Sequence, residues 1–150
     1  MDPITHPTST TTSELLFLGV RCRVLADAES TDSRYGLVDM IEVPSGDMPP
    51  LHVHHTHDEG FLLLDGHLTL FLPDREIELD PGDFVLAPHG VPHAYRAGPE
   101  PARWLVVSSP PGFEGFVREV AALDEITPDV LDATAAGYDI EILGPPGTRP

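Results

Sequence analysis

The chain is predicted to be all-β, a sandwich or barrel that carries a short helical tail. Three observations predict it. Short apolar runs recur about every ten residues as far as Ser108. Gly and Pro stand at the joints between them, as in Leu79-Asp-Pro-Gly82 and Pro88-His-Gly-Val-Pro92. From Phe113 the apolar spacing changes from the period of a strand to that of a helix.

The 150 residues suit one domain with one core, and the apolar share of 41% is enough to build it. The formal charge is −17, and all eight basic residues are Arg. So acidic a chain argues against nucleic acid and anionic membranes as partners, because both need basic surface. No apolar run approaches the roughly 18 residues of a membrane span. The absence of Lys excludes Schiff-base chemistry. Arg without Lys, beside abundant Ala, Gly, Pro and Asp, is the usage of a GC-rich bacterial genome. Residues 1–13 are rich in Thr, Ser and Pro, lack the basic and apolar regions of a signal peptide, and read as a loose leader. With one cysteine, Cys22, the expected compartment is a reducing cytoplasm.

The elements follow in order. Residues 15–25 suit strands, with Val20, Cys22 and Val24 alternating with Arg21 and Arg23. The two arginines are expected to face outward into salt bridges, and Cys22 to be a buried small hydrophobe. A strand over 35–43 ends at Pro44. The segment 51–72 holds two or three strands, broken at Thr56-His57-Asp58 and at Asp65-Gly66, a hairpin signal. Short strands are expected over 75–79, 83–87, 93–97 and 104–108. Phe113, Phe116, Val117 and Val120 then lie on one face of an amphipathic helix. A second helix is delimited by Thr127 as N-cap, Pro128 in the first turn and Gly137 just past the end. Residues 138–143 are expected to add an edge strand. The barrel is placed at 14–111 and the helical segment with its edge strand at 112–150.

Two motifs carry the chemistry. Gly46, His52, His54, Glu59 and Gly66 form G-x5-H-x-H-x4-E-x6-G, and Gly82, Pro88, Gly90 and His93 form G-x5-P-x-G-x2-H. His52 and His54 are two apart on a strand, so both imidazoles point to one face. Glu59 follows a short turn, from which a neighbouring strand can bring its carboxylate to the same point. His93 opens another strand after a Pro-Gly turn. Three imidazoles and one carboxylate can then converge on one borderline divalent ion.

In these nine positions the chain resembles the cupin superfamily. The longer form of the second motif ends in Asn, where this chain has Ala97. Phe17-Leu-Gly, Pro49-Pro-Leu-His-Val-His, Asp58-Glu-Gly-Phe and Asp139-Ile-Glu-Ile-Leu-Gly-Pro-Pro are similar to bacterial single-domain cupins of the quercetin-dioxygenase-like group. The resemblance covers most of residues 15–146. It implies a jelly-roll barrel with one divalent metal inside, held by His52, His54, Glu59 and His93, and a homodimer.

Glu59 has two roles open to it, fourth ligand or general base. Met40, Phe61, Leu63, Leu86 and Tyr95 are expected to wall the substrate pocket, and Phe113 and Phe116 either close its mouth or simply pack. His55 should point away from the metal by alternation, and His57, in the turn, should be solvated, the alternative being that it swings in or shuttles protons. His6, His67 and His89 are expected at the surface. The function read first is a dioxygenase on a small aromatic or enol substrate, with Fe(II) and O2. Ni, Mn, Co or Cu are alternative metals. The second is a non-redox cyclase or isomerase of polyketide-like metabolism, with Zn as Lewis acid. The third is a metal-dependent binding module without catalysis.

Overall fold

In the computed structural model, residues 13–150 are described. The leader expected over 1–13 lies outside the described residues apart from Ser13, and so does His6. The elements are β1 (Leu15–Phe17), β2 (Val20–Ala26), β3 (Gly36–Val43), β4 (Pro50–His54), β5 (Asp58–Asp65), β6 (Leu68–Leu72), β7 (Arg75–Leu79), β8 (Phe84–Ala87), β9 (Ala94–Ala97), β10 (Ala102–Ser109), α1 (Phe113–Ala121), α2 (Pro128–Ala136) and β11 (Ile140–Pro146).

Alternation decides which side of each strand is wet. In β2, Val20, Cys22, Val24 and Ala26 are buried. Arg21 points out, where it donates to Glu14 at 3.0 Å and Glu42 at 2.9 Å, and Arg23 reaches Glu14 at 3.4 Å. Cys22 is fully buried, and that burial, with Asp39 nearby, pushes its thiol up to about 11. The first sheet has six strands in the order β1-β2-β3-β10-β5-β8, all antiparallel. The second is built from β7-β6-β9 and β4-β11. These two parts are joined by an antiparallel bridge in which His93 N–H donates to the His52 carbonyl at 2.9 Å and His52 N–H to the His93 carbonyl at 3.3 Å. The result is a jelly-roll barrel whose core includes Trp104, Leu63, Leu68, Leu70 and Val38.

The strand β6 is buried on both faces. Phe71, on its outer face, lies beneath the guanidinium groups of Arg149 at 4.3 Å and Arg96 at 5.3 Å. Gly66 closes the β5–β6 hairpin at φ +85°, where a Cβ would stand 2.8 Å from the Pro101 carbonyl oxygen. The helix α1 packs on β1 through edge-on rings, with Phe17 centred 5.8 Å from Phe113 and 5.6 Å from Phe116. The helix α2 begins as its sequence predicts, with Thr127 Oγ1 accepting from Val130 N–H at 3.2 Å. The following strand is β11, which runs antiparallel to β4 with Ile142 opposite His52 and Ile140 opposite His54. Among the described residues, no helix is long and apolar enough to cross a membrane.

Candidate metal centre

Two strands and one turn bring the four motif side chains together. His52 and His54 stand on the inner face of β4. Glu59 is the second residue of β5, paired with Ser108 of β10 and Ala87 of β8. His93 is set by the turn before β9, in which Gly90, at φ +78°, donates its N–H to the His54 carbonyl at 2.7 Å. One ligand atom from each of His52, His54, Glu59 and His93 lies within 4.8 Å of the others. Glu59 Oε2 is 3.0 Å from His54 Nε2 and 3.1 Å from His93 Nε2. The His54 and His93 rings are nearly parallel, at 12° and 5.3 Å between centroids.

The far nitrogens are anchored. His52 Nδ1 lies 2.7 Å from the Pro50 carbonyl, and His93 Nδ1 lies 3.4 Å from that of Val91. A proton on each Nδ1 leaves each Nε2 lone pair free to face a cation. His54 Nε2 is buried without a hydrogen-bond partner, although it lies close to Glu59. Such an orphaned donor atom, three imidazole nitrogens and one carboxylate together fit a divalent ion between hard and soft. Electrostatics agree. Burial, reinforced by His93 and His54, pushes the His52 imidazole down to about 3, which keeps it neutral. Burial opposes ionisation of Glu59, but the His54 and His93 imidazoles outweigh it and hold the carboxyl well below the usual range.

The centre opens on a cavity of about 750 Å³. Apolar side chains from both sheets and from the C-terminal elements wall it, among them Val20, Trp104, Val106, Leu131 and Ile142. Of the expected pocket residues, Met40, Phe61 and Tyr95 line it, and so do Phe113 and Phe116. Leu63 faces inward but stands four residues beyond Glu59, about 13 Å along the strand, and is packed into the core instead. The expectation for Leu86 is wrong: it is 50% exposed. It pairs with Gly60, so it shares the outer face with Leu62, while Val85, opposite Phe61, takes the inner one.

The expectation for His57 is also wrong. It is 1% exposed, with Nε2 2.6 Å from His54 Nδ1, and burial, with His54 beside it, pushes its imidazole down to about 4. The turn at 55–56 folds the chain back on β4, and alternation within a strand carries no signal for that. His55 is exposed and meets Glu141 at 3.0 Å, His89 is exposed and meets Asp58 at 2.7 Å, and His67 is partly exposed beside Asp80.

Comparisons with known proteins agree with this geometry. Residues 39–108 match the Cupin_2 family, described as the cupin domain. The chain is 35% identical over 96 residues to quercetin 2,3-dioxygenase of Bacillus subtilis, which takes in 64% of this chain and 28% of that protein. The chain thus spans under a third of that relative's length. Among solved structures, the polyketide cyclase RemF of Streptomyces resistomycificus aligns with a TM-score of 0.57 and 27% identity, over 73% of this chain and 80% of that one. An RmlC-like cupin of Shewanella frigidimarina shares the fold, with a TM-score of 0.61 at 18% identity over 73% of this chain and 95% of that one. The motif pair read from nine positions, the jelly-roll barrel and these likenesses agree, and residues 39–108 of the chain are a cupin domain.

Proposed function

We propose that the protein is a metal-dependent dioxygenase acting on a small, uncharged aromatic or enol substrate. One observation carries this reading: three imidazoles and one carboxylate converge at the wall of a largely apolar cavity of about 750 Å³. Such a cavity suits a flat organic molecule. None of the chain's eight arginines lines it, and its charged wall residues, Asp47, Glu59 and Asp132, are all acidic. A substrate carboxylate would find no protein cation there. Burial holds the Asp47 carboxyl above its usual range, and burial, with Asp47 and Glu59 nearby, holds the Tyr95 phenol well above its own. Tyr95 is therefore a hydrogen-bond donor at neutral pH rather than a base.

His52, His54, Glu59 and His93 hold the ion, Fe(II) on this reading, with Ni, Mn, Co or Cu as alternatives. When bound, such an ion supplies a site for substrate oxygen and the one-electron chemistry that O2 requires. Glu59 is held ionised, and it serves either as the fourth ligand or, released from the ion, as the acceptor of the proton of an enol or phenol brought to the centre. Phe61, Phe113 and Trp104 hold the ring and exclude water. The likeness to a quercetin dioxygenase supports this choice of reaction. A second reading, a non-redox cyclase with Zn as Lewis acid, draws on the likeness to a polyketide cyclase.

We also propose a cytoplasmic homodimer, the assembly that the resemblance to cupins implies. The free, buried Cys22 suits a reducing compartment. The outer face of the first sheet offers Leu64, Phe84 and Leu86, exposed by 41%, 59% and 50%, to a second copy.

Oxygen uptake by Fe(II)-loaded protein given a flavonol or a β-diketone decides between the two reactions. Consumption of one O2 per substrate is expected. It should fall about a hundredfold or more in Glu59→Gln, with the fold retained. Turnover that proceeds equally without oxygen would overturn the dioxygenase in favour of the cyclase.

A further inference from the structure

We propose that His57 is a positioning residue for the metal centre: it fixes the His54 ring so that Nε2 faces the site. The inference rests on the reading of His52, His54, Glu59 and His93 as metal ligands.

A ligating imidazole needs its other nitrogen anchored, or the ring swings and the wrong tautomer competes. His52 and His93 each use the carbonyl two residues earlier, Pro50 at 2.7 Å and Val91 at a longer 3.4 Å. By the same local rule His54 would use the carbonyl of His52. That carbonyl already accepts the N–H of His93 in the bridge that joins β4 to β9. The His54 ring is served by a side chain instead: His57 Nε2 lies 2.6 Å from His54 Nδ1.

The arrangement fixes the proton. With the His54 Nε2 lone pair turned to the ion, Nδ1 carries hydrogen and donates it to His57 Nε2, which places the His57 proton on its own Nδ1. His57 is itself held. It is 1% exposed, its ring meets that of His54 edge-on at 4.4 Å, and a Cβ at Gly112 would lie 2.7 Å from its Nδ1. Gly112 precedes α1, whose first residue, Phe113, stands edge-on to His54 from another side. The missing side chain at 112 thus makes the seat for the His57 ring.

The test is Co(II) binding to the full chain, read by chelator competition and by the visible absorption of the bound ion. His57→Phe keeps a flat ring and removes the acceptor. Its Co(II) affinity should fall about 10- to 100-fold, with a shifted absorption band. His57→Gln, whose carbonyl oxygen accepts a hydrogen bond, should recover most of the affinity and the band. Gly112→Ala drives a methyl group against the His57 ring from outside the centre, and should lower affinity in the same direction. Thermal unfolding of the metal-free variants separates these losses from a general loss of fold. Wild-type affinity and spectrum in His57→Phe would overturn the proposal, as would a His57→Gln no better than the Phe variant. If His57→Phe does not fold, the Gly112→Ala and His57→Gln pair decides, and wild-type binding by Gly112→Ala overturns it. Failure of the unmodified protein to bind Co(II) would instead bring down the metal reading itself, and the proposal with it.

Discussion

His93 makes two separable contributions to the centre. Its backbone pairs with His52 across the second sheet, and its Nε2 reaches Glu59 at 3.1 Å. An alanine at this position keeps the first and deletes the second. His93→Ala is therefore expected to lose stoichiometric metal, measured by mass spectrometry on the purified protein, while its circular dichroism stays that of a folded barrel. Full metal content in that variant would remove His93 from the ligand set. His52 and His54 were legible in the sequence because their logic is local: two residues along a strand is one face, whatever the rest of the chain does, while Glu59 and His93, on other elements, were legible through the spacing of the two motifs. Leu86 was not legible. Its side depends on how the β5–β8 pair is registered, and a shift of one residue in that pairing exchanges the faces. His57 was missed for a related reason, since its burial comes from a turn folding over β4 and from a helix that begins more than fifty residues later.

At the scale of elements, most strands declared themselves by alternation and by Gly or Pro at their ends, with boundaries that differ by a residue or two from those expected. The helix α2 was the most explicit, since capping residue, first-turn proline and final glycine stood at the proper spacing. Removing the cap tests that logic. Thr127→Ala leaves the Val130 N–H without its acceptor and should cost about 1 kcal/mol. In a domain of this size that is a fall in melting temperature of about 2–5 °C, measured by calorimetry. An unchanged melting temperature would mean that the hydrogen bond is replaced by water without cost. The partner of β11 was the part not legible. Alternation marks a strand, yet nothing local says which edge it will join. Here it joins β4, which places Ile142 and Ile140 beside the strand that carries His52 and His54, and so makes the tail part of the cavity wall.

For the whole molecule, the chain's charge of −17 sets the terms of self-association: two copies repel unless they meet through a face poor in unpaired acid. The outer face of the first sheet meets that condition. Leu62, Leu64, Phe84, Leu86 and Leu105 share it, and Asp39 among them is paired with Arg103 at 2.7 Å. On the homodimer reading, Leu86→Glu sets a charge into this face, and sedimentation should show a dimer for the parent chain and a monomer for the variant. A variant that stays dimeric would move the interface elsewhere.

The second sheet has a seam. Among the described residues, β4 and β9 share no ladder beyond the pairing of His52 with His93, and the ligand groups come from both sides of that join. An ion that gathers them is held only while the wall is whole, and by reciprocity its presence favours the whole wall. Chemistry and masonry then meet at one stone. On the metal-dependent reading, a cell starved of the metal would idle the proposed reaction and also slacken the chamber, and with it the grip on whatever that chamber holds.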